Sequence, residues 1–379
     1  MDLTVDQSMF SRALRLIARV APARATLPIL QMALLAVEQG HLTLTSTDGD
    51  LGVSTRLAAD VAAPGRTTLP ARLLDDYVGQ LPAEPVRLTL DTEQRRVRVS
   101  GGRFAANVAT MEADDFPTFP AADEGTALDL DAGRLREAIE RVAFAAARDE
   151  SRPVLSAVLF AFGPDGLTLA AADGFRLARA RLPEAAAAPR QLLVPARAVS
   201  EFGRLLADAE AARLLRTPDG RGVYLVAKET TLFTRLIEGR FPDIDRVIPR
   251  EWRTRVVVET ASFRQAVRVA GLFGGGEARP VVLEAAPDCL RLHARGDETG
   301  EAESELPATV EGEAQAVALN TRLLTDLLDA ARGPRLELSW TTPQAPVVVR
   351  EAGQPDSADL SVVMPLFDPA LVRRQAEAA

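Results

Sequence analysis

Apolar and polar residues alternate along some segments of the chain and recur with a helical period along others. Residues 41–45 (HLTLT) and 167–169 (LTL) alternate strictly, which predicts strands with one buried face. In residues 5–21 (VDQSMFSRALRLIARVA), apolar side chains recur every three or four positions, which predicts an amphipathic helix. Two similar helical stretches occupy residues 131–147 and 259–273. The pattern therefore predicts both strands and amphipathic helices.

These elements recur in three copies. Residues 25–57, 151–182 and 278–306 each follow the order strand, turn, strand, turn, strand. The copies also close alike, because Phe116 and Phe241 in similar phenylalanine–proline segments are 241 minus 116, or 125, residues apart. A repeat in the sequence indicates a repeated structural unit.

A second repeated pattern is a strand that leads directly into a short helix. It occupies residues 67–81, 192–206 and 317–331. Pro70, Pro195 and Asn320 align within it, since 195 minus 70 and 320 minus 195 are both 125. Proline suits the first turn of a helix, where its missing N–H is not needed. Each unit of about 125 residues is thus expected to hold two helices and some eight strands.

The pattern favours an α+β fold of three repeated domains, each with two helices packed on curved antiparallel sheet. We place the boundaries at residues 1–121, 127–250 and 254–367, and we expect residues 368–379 to form a loose C-terminal tail. With 379 residues, 47% hydrophobic and 26% charged, the chain has the composition of a soluble globular protein of more than one domain.

Targeting and cysteine patterns narrow the class further. No apolar run approaches the roughly 18 residues of a membrane span, and the first residues carry no signal-peptide pattern. We therefore expect a cytoplasmic protein that does not enter a membrane. The single cysteine, Cys289, excludes an intrachain disulfide and a cysteine metal cluster.

The charge pattern initially argues against a nucleic-acid partner, because the formal net charge is -9. However, three predicted helices place arginines opposite their apolar side chains: Arg12, Arg15 and Arg19 in the first, Arg197 and Arg204 in the fourth, and Arg264 and Arg268 in the fifth. The other three helices mix arginines with acidic residues. Each basic face alone is typical of a solvated helix. If the three basic faces are gathered on one surface, they favour contact with nucleic-acid phosphates without reading of the base sequence.

Candidate catalytic chemistry is sparse. His41 and His293 are the only histidines and lack metal-ligand spacing. Acidic residues such as Asp48 and Asp173 precede glycine and are more typical of turns than of a carboxylate site. We therefore expect no enzyme, no metal and no cofactor. A carboxylate-dependent hydrolase built on the same scaffold is the alternative from another class.

Five segments, in this order, resemble the signatures of bacterial DNA sliding clamps, the beta subunits of the replicative DNA polymerase. They are TLPIL (26–30), SRPVL (151–155), ADGFRLA (172–178), GRFPDIDRVIP (239–249) and VVMPL (362–366). The resemblance runs from residue 1 to about 366. It implies a head-to-tail homodimer that closes into a ring around double-stranded DNA, each chain forming half of the ring. It also implies a peptide pocket for DNA polymerase III alpha, other polymerases, the clamp loader and repair proteins.

The same resemblance implies three sets of site residues. DNA would be contacted by Arg24, Arg148, Arg152 and Arg197. The peptide pocket would comprise Leu155, Ala172, Gly174, Arg176, Leu177, Pro242, Arg246, Val247, Val362, Met364, Pro365 and Leu366. The dimer interface would use Phe104 and Val108 of one edge strand together with Leu272 and Phe273.

Two features depart from the family pattern. Phe175 stands where family members commonly have histidine or tyrosine, and residues 367–379 (FDPALVRRQAEAA) extend beyond the usual end. The tail is expected to be disordered, to cover the pocket, or to mark a clamp paralogue specialised in protein binding. That paralogue is the alternative to the principal replicative clamp.

Overall fold

Each third of the chain opens with a strand and a helix, continues with strands and a second helix, and closes with three strands. The computed structural model describes residues 1–149, 151–183, 190–276, 279–355, 359–369 and 371.

The first third contains β1 (Asp2–Val5), α1 (Gln7–Val20), β2 (Met32–Glu38), β3 (His41–Thr47), β4 (Leu51–Ala58), β5 (Asp60–Ala63), β6 (Gly65–Pro70), α2 (Ala71–Gln80), β7 (Val86–Asp91), β8 (Arg96–Gly101) and β9 (Phe104–Ala109). The second contains β10 (Asp123–Asp131), α3 (Ala132–Val142), β11 (Ala157–Gly163), β12 (Gly166–Ala172), β13 (Arg176–Leu182), β14 (Arg190–Pro195), α4 (Ala196–Leu205), β15 (Ala211–Arg216), β16 (Gly222–Ala227) and β17 (Thr230–Arg235).

The last third contains β18 (Thr254–Glu259), α5 (Thr260–Phe273), β19 (Pro280–Ala286), β20 (Cys289–Gly296), β21 (Gly300–Gly312), β22 (Ala316–Asn320), α6 (Thr321–Ala330), β23 (Arg335–Trp340), β24 (Val347–Glu351) and β25 (Leu360–Val363). Short 3-10 helices occupy Pro28–Gln31, Ala113–Asp115, Ala143–Ala145, Pro153–Ser156, Leu206–Asp208 and Ile244–Arg246.

The predicted α+β class, with two helices and antiparallel sheet in every repeat, is confirmed. The strand-to-helix transitions also occur where the sequence places them. Pro70, Pro195 and Asn320 end β6, β14 and β22, and a helix begins at the next residue. These residues therefore precede the first helical turn. Asn320 acts as a side-chain cap, because its Oδ1 accepts hydrogen bonds from the backbone N–H groups of Arg322 and Leu323.

The described residues divide into two compact units, Met1–Gly133 with Arg204–Leu236, and Arg134–Gly203 with Ile237–Ala379. The first unit holds a five-stranded sheet, β5-β1-β7-β8-β9, and an eight-stranded sheet, β10-β15-β16-β17-β4-β3-β2-β6. The second holds a twelve-stranded sheet, β14-β11-β12-β13-β25-β24-β23-β18-β21-β20-β19-β22. The three domain boundaries drawn from the sequence remain a prediction.

Each large sheet joins strands from two neighbouring repeats. In the first unit β17 pairs with β4, with Leu232 opposite Val53. In the second unit β13 pairs with β25, with Leu177 opposite Val362. We call these two pairings the first junction and the second junction. The helices pack on the sheets by the apolar faces that the periodicity predicts: Phe10, Leu14 and Ile17 of α1 and Phe263 and Val267 of α5 are fully buried.

Candidate functional site

A tight turn connects the last two strands before each junction. The Asp173 Oδ1 accepts hydrogen bonds from the backbone N–H groups of Phe175 and Arg176, both at 2.9 Å. Between them Gly174 has a φ of +94°, a left-handed conformation that favours glycine. The equivalent Asp48 binds the N–H groups of Asp50 and Leu51 at 3.0 and 2.8 Å. Both aspartates therefore form the turns that the sequence predicts.

The second junction carries an apolar surface built from two clusters. Leu177, Val348, Leu360 and Val362 are buried in one cluster. The other cluster contains Ala157, Leu159, Ala170, Leu193 and Phe241. Ala172 and Ile244 are half-buried and pack against both clusters. Leu177 and Val362 thus form the floor beneath this surface, while Ala172 and Ile244 lie where a ligand could reach them.

Arg176 links the turn to the last repeat. Its Nε donates to the Asp173 Oδ2 at 3.0 Å, and its Nη1 donates to the Asp326 Oδ2 of α6 at 2.7 Å. The guanidinium also lies over the Phe144 ring, 5.3 Å from its centroid. Arg176 is 7% exposed, so these partners hold its charge between the turn and α6.

The segment after β25 is held beside the turn. The backbone N–H of Met364 donates to the Phe175 carbonyl at 2.8 Å, and that of Leu366 donates to the Ala318 carbonyl at 2.8 Å. The side chains of Met364, Pro365 and Leu366 are half-buried. This arrangement leaves methionine, an adaptable apolar side chain, at the surface of the second junction. Most of the tail lies outside the described residues.

The remaining predicted pocket residues come from two loops. Pro242, Arg246 and Val247 are exposed, and the Arg246 Nε lies 3.1 Å from the Asp243 Oδ2. Leu155 is half-buried in the 3-10 helix Pro153–Ser156, where its carbonyl accepts from the Ala147 N–H. All twelve predicted pocket residues belong to the second unit.

A groove of about 1260 Å³ lies in the second unit between the Arg148–Arg152 loop, the Phe175 turn and the start of α6. We call it the arginine groove. Arg148 and Arg152 line it together, and so do four residues that sequence reasoning did not assign to a site: Arg279, Asn320, Arg322 and Leu323. No local sequence pattern assigned these four residues to a site. They come close to the Arg148–Arg152 loop only because strands that are distant in the sequence pair with each other.

The predicted DNA-contacting residues are all exposed. Arg148 and Arg152 lie together, Arg197 lies on α4, and Arg24 follows α1 in the first unit. Arg15 and Arg19 of α1 are also exposed. They neighbour Asp75 of α2, where burial raises the pKa of the carboxyl and the two arginine charges oppose that shift.

The predicted basic face of α5 is partly neutralised. Arg264 donates through Nε and Nη2 to the Leu328 carbonyl near the end of α6, at 3.0 and 2.5 Å. Arg268 donates to the Asp329 carboxylate at 2.7 Å. Cations commonly bind the partly negative C-terminal end of a helix. These contacts depend on how α5 and α6 pack, so neither helix pattern reveals them alone.

The described sheets have several strand edges with unpaired backbone groups, and two of them are of interest here. Among the described strands, β9 pairs only with β8, and residues 300–306 of β21 pair only with β20. Phe104 on β9 is 48% exposed and Leu272 at the end of α5 is 73% exposed, whereas Val108 is buried and Phe273 half-buried. Phe104 and Leu272 can therefore contact another chain, while Val108 belongs to its own domain's core.

Two candidate features are not found in the part of the chain that the structure describes. No group of three or more His, Cys, Asp or Glu side chains is arranged to hold a metal ion. No α-helix there is long and apolar enough to cross a membrane.

Three family models match the chain in order. The N-terminal, central and C-terminal domains of the DNA polymerase III beta subunit match residues 1–120, 129–243 and 245–366. Fold, repeat order and these matches together define the class as a three-domain polymerase beta subunit. The chain belongs to the beta sliding clamp family, and it is 31% identical over 362 residues to the Synechococcus elongatus beta sliding clamp, covering 93% of this chain and 96% of that protein.

Other relatives agree over nearly the whole length. The Pseudomonas putida beta sliding clamp is 29% identical, with 97% of this chain and 100% of that protein covered. The crystal structure of the Pseudomonas aeruginosa DNA polymerase III subunit beta bound to griselimycin has a TM-score of 0.91 at 28% identity, covering 97% of this chain and 100% of that one. The Caulobacter crescentus clamp structure has a TM-score of 0.89 at 28% identity, with 97% and 99% covered.

Proposed function

We propose that this protein is a DNA polymerase processivity factor, a sliding clamp that encircles duplex DNA and has no catalytic site of its own. One observation carries the proposal: the three beta-subunit domains match in order across residues 1–366 of a chain that shares the fold of solved clamps. A clamp keeps its partner on DNA because the closed ring surrounds the duplex, so it needs no catalytic site. We place it in the cytoplasm, where replication takes place in bacteria.

The DNA contacts proposed for Arg24, Arg148, Arg152 and Arg197 are made to phosphates and carry no sequence information. Weak exposed contacts of this kind suit a ring that must slide, because each phosphate contact is screened and readily exchanged. The net charge of -9 is compatible with this role if the outer surface repels DNA while arginines face the hole. The chain is proposed to form half of such a ring.

Closure would come from two of the unpaired strand edges, that of β9 and that of residues 300–306 of β21. In a head-to-tail homodimer, β9 of one chain would extend the sheet at residues 300–306 of the other. Arg103 directly precedes β9, and Glu301 and Glu303 lie on β21, so charge attraction could assist this pairing. Pairing these two edges in both copies would protect them from uncontrolled association. Phe104 and Leu272 would become buried in this contact.

The apolar surface of the second junction would dock short peptides of DNA polymerase III alpha, other polymerases and the clamp loader. Ala172, Ile244 and Met364 offer partly buried apolar contacts above a floor that includes Leu177. Aliphatic and aromatic peptide anchors bind such surfaces. Pro242, Arg246 and Val247 border the surface on one side.

A clamp paralogue specialised in protein binding is the less favoured alternative. The curated relatives are beta sliding clamps that align with nearly the entire chain, which favours the replicative role. The two functions differ in whether the ring is loaded onto DNA and supports the replicase.

Loading onto a nicked circular plasmid tests the proposal. Purified clamp and its loader would be incubated with the plasmid, and the protein retained on DNA would be measured by gel filtration before and after linearisation. We expect retention on the circle and release from the linear DNA, because a ring slides off a free end. Retention that survives linearisation would indicate ordinary binding and contradict encirclement. Failure to load, with peptide binding intact, would favour the paralogue.

A further inference from the structure

Three neighbouring strands of the last repeat, β19, β20 and β21, carry a row of charged side chains on one face. Residues that pair directly in an antiparallel ladder share a face of the sheet. The alternate residues of β20 are buried on the opposite face, so this row points to solvent. We call it the charged face, and its members are Glu284, Arg291, His293, Arg295, Glu301, Glu303 and Glu305.

His293 lies between two carboxylates of the charged face. Its Nδ1 is 3.3 Å from the Glu303 Oε1, and its Nε2 is 3.9 Å from the Glu284 Oε2. The strand neighbours of His293 on this face, Arg291 and Arg295, are cationic. A neutral imidazole carries one N–H, whereas the protonated ring carries two and a positive charge. Protonation therefore lets His293 attract both carboxylates at once.

The charged face reaches a strand edge that is proposed to close the ring. Residues 300–306 of β21, which carry three of its glutamates, pair only with β20 among the described strands. With His293 neutral, the four glutamates and two arginines give the face a formal charge of -2, and protonation reduces it to -1. Arg103 directly precedes β9, the strand of a second copy that would pair here. The edge therefore attracts that copy less strongly when His293 is charged.

We propose that His293 makes closure of the ring depend on pH, and that the ring closes more tightly when His293 is neutral. This inference rests on the proposed pairing of β9 with residues 300–306 of β21. Protonated His293 holds the Glu303 carboxylate, which then contributes less to the attraction of a basic residue on the second copy. The coupling is reciprocal, because a contact that protonation weakens must itself favour loss of the proton.

The other histidine of the chain provides a comparison. His41 lies on β3 in the first unit, and its Nδ1 is 2.9 Å from the Arg56 Nη2 and 3.0 Å from the Gln39 carbonyl. His41 and His293 are the only histidines. Histidine is the side chain that ordinarily changes charge between pH 5 and 8. A shift from about pH 7.5 to about pH 6.0 therefore acts mainly on these two side chains and the N-terminal amine.

Dilution of the labelled full-length protein tests the inference by sedimentation with fluorescence detection. The dissociation constant of the dimer is measured at both pH values and at one low ionic strength. We expect dimerisation to be about fivefold weaker at the lower pH, because the two equivalent contacts of the ring each lose part of their attraction. This difference is expected to shrink as salt is raised.

Substitutions identify the histidine responsible. His293→Gln keeps a polar side chain that does not titrate, so it should remove the difference between the two pH values. His293→Arg carries a permanent positive charge and should weaken the dimer at the higher pH as well. His41→Gln makes the same change at the other histidine and should keep the pH dependence of the unaltered protein.

A pH dependence that disappears in His293→Gln and persists in His41→Gln supports the inference. Equal dissociation constants at the two pH values overturn it while ring closure stands, and so does a pH dependence that persists in His293→Gln or a dimer that is tighter at the lower pH. If His293→Gln does not fold, His293→Arg decides, because an unchanged affinity at the higher pH contradicts the inference. A chain that is monomeric at both pH values would remove the closure proposal and the inference with it.

Discussion

The first and second junctions are built alike but differ in a few side chains. Gly52 of β4 and Leu177 of β13 are equivalent, since 177 minus 52 is 125. At the first junction the Phe119 ring lies directly over Gly52, so close that a Cβ at that position would be 2.2 Å from its Cζ. Phe119 also stacks on Phe233, with 5.6 Å between ring centroids. The chain's own aromatic residues therefore cover the first junction.

At the second junction the position equivalent to Phe119 is Ile244. Ile244 is half-buried against Leu177 and its neighbours, and Ala172 remains partly accessible beside it. The first junction is further held by the Tyr224 hydroxyl, which donates to the Pro120 carbonyl. The comparison shows why the apolar surface is accessible at the second junction and not at the first: a large ring covers one copy, and a smaller aliphatic residue leaves the other accessible.

The largest effect is expected at the position where the junctions differ in charge. Arg176 at the second junction is equivalent to the buried Leu51 at the first. Replacement Arg176→Leu should lower the free energy of unfolding by about 3 kcal/mol, because Asp173 and Asp326 lose their buried partner. Urea unfolding measures the change. The control Arg181→Leu alters an exposed arginine and should change stability by less than about 0.5 kcal/mol; equal effects of the two substitutions would contradict the structural role of Arg176.

A smaller loss of stability is expected from crowding the first junction. Gly52→Ala adds a methyl group that would overlap the Phe119 ring. The substitution should lower the free energy of unfolding by about 1–3 kcal/mol. Adding Phe119→Ile, which copies the second junction, should recover part of that loss. If the two substitutions change the free energy of unfolding independently and additively in a double-mutant cycle, the Phe119 ring does not cover Gly52.

Peptide affinity should depend on Met364 at the second junction. Met364→Ala removes a half-buried apolar contact and is expected to weaken a peptide bearing glutamine, leucine and phenylalanine by about 1–3 kcal/mol. Titration calorimetry checks this value. Met111→Ala, at an exposed methionine of the first unit, should leave affinity unchanged. If the two substitutions act equally, the pocket lies elsewhere.

The smallest effect is expected on DNA loading, where equivalent loops of the first and second repeats carry Arg24 and Arg152. Charge reversal to glutamate at each position should slow loading by up to about tenfold, because favourable long-range attraction to phosphate is lost. The rate is measured on nicked circular DNA at low salt. Sedimentation should show an unchanged assembly, and a normal loading rate in both variants would remove these residues from the DNA interface.

The sequence predicts local structure more readily than contacts between residues that are distant along the chain. The positions of Pro70 and Asn320, and the turns at Asp48 and Asp173, follow from local geometry that a few neighbouring residues determine. The pairing of Arg176 with Asp326 joins residues 150 positions apart. No periodicity encodes such a pair, because it depends on β13 meeting β25.

The candidate site was therefore predicted in part. Ala172, Gly174 and Met364 were placed near one another by resemblance, and the structure brings them to one junction. Leu177 and Val362, which were also predicted to line the pocket, are buried at this junction, as expected for residues in central strands. Ile244 was not assigned, and its spacing of 125 residues from Phe119 was the available signal. The roles of these residues in binding remain predictions.

The mass of the protein in solution tests the central claim, that two copies close into a ring, most directly. Sedimentation equilibrium of the purified full-length chain should give about twice the 40.6 kDa of one chain, with no larger open polymers, because a head-to-tail contact that closes uses both edges of each copy. A stable species of 40.6 kDa at concentrations where the clamp supports DNA synthesis would contradict the account, since a monomer cannot encircle DNA.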